Sequence, residues 1–128
     1  MEIGAKFKVT ITVEDKDTAM SHGSGTLAVL ATPRMIALME ESAYKCIERY
    51  LDQGQSSVGT YLDVKHLSAT PVGMEVYAES EITEIDGRRI VFCVRAYDEK
   101  GIIGEGKHER FIVFSEKFVN KTYQKLDS

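Results

Sequence analysis

The sequence predicts an α+β protein in which an antiparallel sheet of about five strands wraps around one long helix. Three observations support this prediction: a single long amphipathic segment, several stretches of alternating apolar and polar side chains, and short turn sequences between those stretches. A lone amphipathic helix can bury its apolar stripe only against a sheet. The chain has 128 residues, so we expect a single domain spanning residues 1–128.

The first strand is predicted over Lys6–Val13, where apolar and polar residues alternate. The following segment, Glu14–Leu30, contains the small, flexible run Ser21–Thr26 and is too long for a simple turn. Connections of this length in compact domains tend to be functional lids or disordered segments.

The long helix is predicted over Pro33–Leu51. Thr32 is a suitable N-cap, and proline is favoured in the first helical turn. Gly54 lies just beyond the expected end of the helix, where glycine often terminates helices.

Four more strands are predicted after the helix, and the sequence Asp86-Gly87 is a strong hairpin signal between two of them. The polar tail, Ser115–Ser128, is expected to pack loosely or to fray. The four predicted strands are Val58–Ser68, Met74–Glu84, Arg88–Tyr97 and Ile102–Phe114.

The composition points away from nucleic acids and membranes. Sixteen basic and twenty acidic residues give a net charge of −4, whereas a nucleic-acid footprint requires a basic surface. No stretch approaches the roughly 20 apolar residues of a membrane span, and the N-terminus lacks a signal-peptide pattern. Cys46 and Cys93 show no metal-ligand spacing, so we expect two reduced, packed thiols in a cytoplasmic protein.

Glu40 is the unusual residue of the helix, because it falls on the apolar face together with Ile36, Ala43, Tyr44 and Ile47. Burying a lone carboxylate is costly, and sheltered acids of this kind often perform proton transfer or nucleophilic attack. The alternative, given equal weight, is that Glu40 lies at the rim of the stripe and reaches water.

His66 and Gly59 are the candidates on the strand after the helix. A period of two places His66 with Val64 on a largely apolar face and places Gly59 on the opposite face. A histidine there is either a hydrogen-bonded core residue or a general acid or base. A glycine in a strand marks a bulge or a close backbone approach, by a neighbour or by a ligand.

Two further candidates have structural alternatives. Thr32 caps the helix on the simplest interpretation, but a hydroxyl at a helix N-terminus can also face a ligand. In the last strand, His108 and Arg110 share a face, opposite Lys107 and Glu109. The mixed charges favour a solvated or subunit-facing strand, whereas the functional interpretation is an anion contact through Arg110.

Taken together, these pieces resemble one family in their order and spacing over residues 30–114. They resemble the hotdog-fold acyl-CoA thioesterases, and most closely the fluoroacetyl-CoA thioesterase family. The matching segments are Ala31-Thr32-Pro33, Glu40, Ser57–Thr60, His66, Ala69-Thr70-Pro71, Asp86–Arg89 and Gly106–Arg110.

The resemblance implies a set of roles. Thr32, Glu40 and His66 would be catalytic, and Gly59 would polarise the thioester carbonyl through its backbone N–H. Arg110 would contact the substrate. The resemblance also implies a homodimer with its active site at the interface, and no metal or cofactor apart from the CoA of the substrate.

One departure from the family concerns the acyl group. The fluoroacetyl-specific enzyme carries phenylalanines in the loop before the helix, but the matching segment here, Ser21–Leu27, has no aromatic residue. A different or broader acyl group is therefore expected. Two alternatives remain: a hotdog module that binds acyl-CoA without cleaving it, and a hotdog hydratase. Asp63 and His66 are three residues apart on opposite strand faces, which disfavours the hydratase.

Overall fold

The computed structural model describes residues 1–127. A short 3-10 turn, Asp15–Asp17, precedes the first helix, and another, Gln124–Asp127, follows the last one. The strands and helices, in chain order, are β1 (Lys6–Thr12), α1 (Ala19–His22), α2 (Thr32–Glu48), β2 (Gln55–His66), β3 (Glu75–Asp86), β4 (Arg89–Asp98), β5 (Gly101–Phe114) and α3 (Ser115–Tyr123).

The five strands form one sheet in the order β1-β3-β4-β5-β2, and every neighbouring pair is antiparallel. The sheet packs its concave face against α2, as the lone amphipathic helix requires. The prediction of an α+β hotdog arrangement is therefore confirmed. The two edges of this sheet are β1 and β2.

The core lies between α2 and the concave face of the sheet. Alternation in β4 points every second side chain toward the helix, as the sequence predicted for this strand. From the helix, Met35, Met39, Ala43 and Ile47 fill the space beneath it and are almost fully buried. The buried partners on β3 and β4 are Val76, Ala78, Ile82, Ile90, Phe92, Val94 and Ala96.

The predicted end of the long helix was wrong. Helix α2 ends at Glu48 rather than Leu51, because Tyr50 and Leu51 donate to carbonyls three residues back, which tightens the chain out of the helix. The segment Glu14–Leu30, expected to be a lid or a disordered segment, contains short helical turns. The tail was expected to pack loosely or to fray; its residues Ser115–Tyr123 form the regular helix α3, none of which is buried.

A β-bulge at Thr60 shifts the phase of strand β2. Gly59 lies opposite Arg110 and Tyr61 opposite Glu109, which leaves Thr60 as the extra residue. Its hydroxyl donates to the Glu109 carbonyl, 3.2 Å away. Because the extra residue shifts the alternation, the predicted faces were wrong before the bulge, where Gly59 faces the helix. After the bulge they hold, since Leu62, Val64 and His66 share one face as predicted.

The functional consequence concerns Gly59 and His66. With the bulge between them, both lie on the side of the sheet that faces α2, whereas the simple alternation had placed them on opposite faces. Asp63 pairs with Lys107 and remains on the outer face. Within residues 1–127, no helix is long and apolar enough to cross a membrane.

Candidate active site

The start of α2 contacts the end of β2 through Thr32 and His66. The Thr32 hydroxyl oxygen lies 2.7 Å from Nδ1 of His66. The prediction that Thr32 caps the helix was wrong: Ala31 occupies the N-cap position, and no side chain there makes a capping bond. The Thr32 hydroxyl therefore serves the imidazole rather than the helix terminus.

The other ring nitrogen of His66 is available for chemistry. Nε2 is buried and has no hydrogen-bond partner in the part of the chain that the structure describes. Burial lowers the pKa of His66 below its ordinary value, which favours the neutral ring. A neutral imidazole can accept or donate one proton, depending on its tautomer.

A cleft of about 340 Å³ adjoins this pair. Thr32 and His66 line it, with Leu67 and the following turn on one side. Ala19, Ser24 and Val29, from the segment before α2, close the other side. The cleft therefore combines small side chains with a buried nitrogen that lacks a partner.

Glu40 lies eight residues further along α2, at the rim of the apolar stripe. Its side chain is 38% exposed. Of the two alternatives given for Glu40, the one in which the carboxylate reaches water is therefore correct for a single chain. The Arg110 guanidinium is its nearest cation, with Nη1 3.7 Å from Oε2. That distance is too long for a direct hydrogen bond. Oε2 of Glu40 is therefore close to positive charge but is not hydrogen-bonded to this arginine.

Gly59 faces the same carboxylate from β2. A Cβ atom added there would lie 2.9 Å from Oε2 of Glu40 and 3.2 Å from Cε1 of His108. Real Cβ atoms essentially never approach that closely, so a side chain at this position would displace Glu40. The prediction of a close approach at Gly59 is confirmed: the strand passes the acid without a side chain between them.

Arg110 is held in place by hydrogen bonds from three of its nitrogens. Nε donates to the Ser57 hydroxyl at 2.8 Å, and Nη2 donates to the Ser57 carbonyl at 3.0 Å. Nη1 donates to Nε2 of His108 at 3.2 Å. The side chain is only 8% exposed, and this burial lowers the pKa of Arg110, while Glu40 opposes that shift. The expectation of a solvated strand was therefore wrong at Arg110, whose side chain faces inward and is fixed by these hydrogen bonds.

Two residues of this cluster were missed by sequence reasoning. His108 was noted only for sharing a face with Arg110, and Ser57 only as part of a motif. The signal for His108 was present, since a histidine two residues from an arginine in a strand must lie beside it. The signal for Ser57 was hidden, because its pairing with β5 depends on the sheet register.

The predicted residues therefore form two separate groups in one chain. One contains Thr32 and His66, and the other contains Glu40, Gly59 and Arg110. Thr32 and Glu40 are eight residues apart on α2, which corresponds to about 12 Å along a helix. A single reacting carbonyl cannot contact both groups within one chain.

A larger cleft of about 780 Å³ lies between Gly54 and α3, and none of the predicted site residues lines it. Lysine and amide side chains line it, and it contains no histidine or cysteine. Among residues 1–127, no three histidine, cysteine or acidic side chains are grouped to hold a metal ion. Cys46 is buried and Cys93 partly buried, and both are free thiols.

Sequence comparisons match most of the chain to one family. A profile of the fluoroacetyl-CoA-specific thioesterase family matches residues 13–116. The fluoroacetyl-CoA thioesterase of Streptantibioticus cattleyicolor is 40% identical over 97 residues, which is 76% of this chain and 70% of that protein.

Solved structures agree over nearly the whole chain. A structure of the fluoroacetyl-CoA thioesterase superposes with a TM-score of 0.92 at 34% identity, covering 98% of this chain and 97% of that one. A variant of that enzyme with fluoroacetate and CoA gives 0.87 at 33% identity, covering 92% and 99%. A Thermus thermophilus member of the thioesterase superfamily gives 0.89 at 28% identity, covering 98% and 93%.

Proposed function

Since this chain belongs to the fluoroacetyl-CoA-specific thioesterase family and hydrolyses small acyl-CoA thioesters, we propose that its active site forms between two copies of the chain. Thr32 and His66 of one copy would complete the group formed by Glu40, Gly59 and Arg110 of the other. The observation that carries this proposal is that Gly59 and His66 lie seven residues apart on the helix side of β2, an edge strand.

The exposed edge supports a homodimer. β2 is twelve residues long and has an unpaired side, and long unprotected edges tend to pair with another chain. Leu62 points toward the helix side yet is 41% exposed, and Tyr61 on the outer face is 47% exposed. If β2 pairs antiparallel with its symmetry mate about a two-fold axis between Leu62 and Asp63, midway between Gly59 and His66, these two residues of opposite copies come side by side. Gly59 then approaches the partner copy's imidazole.

The proposed chemistry divides the work between the two groups. Glu40 either attacks the thioester carbonyl carbon directly or takes a proton from a water that attacks it. The Gly59 N–H stabilises the negative charge that develops on the carbonyl oxygen. The C–S bond then breaks. On the water route, the proton that Glu40 takes from water passes through His66 to the leaving thiolate. On the direct route, a water hydrolyses the acyl–Glu40 anhydride and its proton reaches the thiolate through His66, so both residues end as they began. Thr32 holds the ring of His66 in position.

Arg110 contributes a fixed positive charge beside this acid. Its three anchored nitrogens prevent the guanidinium from collapsing onto Glu40, so the carboxylate remains free to react. The same charge can contact the anionic substrate intermediate. These residues supply both the acid–base groups and the oxyanion donor, so we propose no metal or cofactor beyond the CoA of the substrate. We further propose one hotdog domain over residues 1–128, in the cytoplasm, with no nucleic-acid or membrane partner.

The cleft beside His66 suggests a broader acyl preference than fluoroacetyl. The side of the cleft formed by the segment before α2 is lined by Ala19, Ser24 and Val29, none of which is aromatic. Small side chains leave room for several short acyl groups, whereas aromatic side chains would fill that space. A panel of short acyl-CoA substrates, monitored by thiol release, measures this preference.

Subunit complementation tests the shared site. Glu40→Ala and His66→Ala proteins are each expected to be inactive. After mixing and subunit exchange, half of the dimers are mixed, and each mixed dimer has one intact site of two, which gives about a quarter of wild-type activity. Mixing two samples of the same variant is the control and should restore nothing.

Each result has a clear meaning. If the mixture stays inactive although mass spectrometry shows mixed dimers, the shared site is wrong. If each variant keeps full turnover, the residue roles are wrong. If wild-type protein retains acyl-CoA tightly but releases no thiol, the chain is a binding module instead of a hydrolase.

A further inference from the structure

We propose that His108 is a positioning residue for the reaction: a neutral imidazole, fixed in one tautomer, that holds Arg110 beside the carboxylate of Glu40. This inference rests on the proposed role of Glu40. His108 is absent from the roles that the family resemblance implied. The inference is supported by the hydrogen bonds on both ring nitrogens of His108 and by the burial of this ring.

The first hydrogen bond fixes the tautomer. Nδ1 of His108 lies 2.8 Å from the backbone carbonyl oxygen of Tyr61. A carbonyl oxygen can only accept, so Nδ1 must carry the hydrogen. Tyr61 directly follows the bulge residue Thr60, so the same local distortion that turns Gly59 inward is adjacent to this acceptor.

The second hydrogen bond uses the opposite nitrogen as an acceptor. Nη1 of Arg110 lies 3.2 Å from Nε2 of His108, and a guanidinium can only donate. Nε2 therefore presents its lone pair to Arg110. With Ser57 holding Nε and Nη2, His108 is the group that fixes Nη1, the nitrogen nearest Glu40.

The surroundings keep the ring neutral. His108 is fully buried, and its ring stacks on Phe92 from β4 with centroids 6.0 Å apart. Desolvation is the largest influence and lowers the pKa of His108, and Arg110 lowers it further. The Tyr61 carbonyl, Glu40 on α2 and Glu109 act in the opposite direction. Protonation would also set an N–H of His108 against an N–H of Arg110.

The two inward-facing imidazoles, His66 and His108, therefore have different roles. His66 has a buried nitrogen without a partner beside a cleft, which suits proton transfer. His108 has partners on both nitrogens, so it has no site at which to exchange a proton during turnover. Its contribution must pass through Arg110.

The test compares two substitutions at position 108 in the full-length protein. His108→Phe keeps the ring that stacks on Phe92 but removes the acceptor. His108→Gln retains an acceptor oxygen near the position of Nε2. We expect kcat for a short acyl-CoA to fall about 10- to 100-fold in His108→Phe, with little change in KM, because a misplaced charge affects the reaction more than ground-state binding. His108→Gln should recover most of that loss.

A double-substitution cycle separates positioning from general structural support. If His108 acts through Arg110, adding His108→Phe to Arg110→Met should lower kcat by less than about twofold further. Independent losses that multiply would overturn the proposal, as would equal losses in His108→Phe and His108→Gln.

Nuclear magnetic resonance of the imidazole nitrogens tests the proposal without any substitution. The wild-type spectrum should show His108 as the neutral ring protonated at Nδ1 throughout the pH range in which kcat changes. A His108 ring that titrates in that range, or that carries its proton on Nε2, would overturn it. Absence of thiol release by wild-type protein would instead reject the proposed hydrolase function. Inactivity of His108→Phe alone would not reject that function.

Discussion

The hydroxyl oxygen of Thr32 lies 2.7 Å from Nδ1 of His66, although the two residues are 34 positions apart in the sequence. The contact joins the first residue of α2 to the last residue of β2. It shows that the hydroxyl of a threonine at a helix start can hydrogen-bond to a neighbouring strand instead of capping the helix.

Removing this hydroxyl should affect turnover much more than stability. We expect Thr32→Val to lower kcat about tenfold, because His66 loses its orienting hydrogen bond, worth about 1 kcal/mol. The free energy of unfolding should change by less than about 1 kcal/mol, since no capping bond is lost. Thr32→Ser, which keeps the hydroxyl, is the matched control. A large loss of stability with normal turnover would restore the capping role.

Gly59 and Gly106 should respond differently to alanine. At Gly59 the added Cβ meets the end of the Glu40 side chain, which can move, so we expect most activity to be lost with a small stability change. At Gly106 it meets the backbone of Asp63 and Val64, which cannot move easily. That clash should lower the free energy of unfolding by about 1–3 kcal/mol.

Thermal or denaturant unfolding of the two variants, together with thiol release, measures this contrast. Near-wild-type turnover by a folded Gly59→Ala protein would mean that the carboxylate does not need its observed position.

Stability should decline as the pH falls below the ordinary histidine pKa of 6.5. Burial lowers the pKa values of His66 and His108 in the folded chain, so the unfolded chain binds more protons in this range. Unfolding therefore becomes easier as the pH falls through 6.5 toward the folded-state pKa values. Denaturant titrations at several pH values should show a shallower decline in His66→Gln than in wild type. An equal slope in both would contradict the assigned burial.

Asp17 should be a strong anchor of the segment before α2. It is 3% exposed, accepts the Glu14 backbone N–H, and forms an ion pair with Arg34, with Nε 2.9 Å from Oδ1. Burial alone would raise the pKa of Asp17, but these contacts outweigh it and hold the pKa below its usual value. We expect Asp17→Ala to cost about 2 kcal/mol of stability, because it leaves two partly buried donors, the Glu14 N–H and the Arg34 guanidinium, without an acceptor.

The surface pair of Glu41 and Lys45 provides the comparison. These side chains are even closer, 2.7 Å apart, but each is about one third exposed, so Glu41→Ala should cost less than about 0.5 kcal/mol. Denaturant unfolding at neutral pH compares the two variants. Equal costs would show that burial does not govern the strength of these contacts.

Much of the fold could be predicted because it depends on local patterns. The amphipathic stripe of α2 needed a sheet to cover it, and the alternation in β4 identified the face that does so. The phase of β2 could not be predicted, since alternation assumes one residue per step and Thr60 is extra. Gly59 was the one indication of the bulge in the sequence, because glycine in a strand often accompanies a bulge.

The candidate site was harder to predict than the fold. Glu40 was identified by its place on the helix, but its neighbours Ser57 and His108 come from strands whose register is set by tertiary pairing. Thr32 was assigned a local role because capping is a local rule. The residues that complete the site belong to another copy in the proposed dimer, and no pattern within one chain specifies that contact.

The number of residues between the bulge and the end of β2 determines which way His66 faces. Deleting Thr60 itself would only restore a regular ladder, with Gly59 and His66 both still facing the helix. Deleting one residue between Tyr61 and His66 would instead turn the side chain of His66 toward the opposite surface. The product would keep an ordinary composition and most of its core, yet its proton-transfer group would be aimed away from the substrate. Natural length variation among relatives should therefore collect in the turns and be excluded from the stretch between Tyr61 and His66.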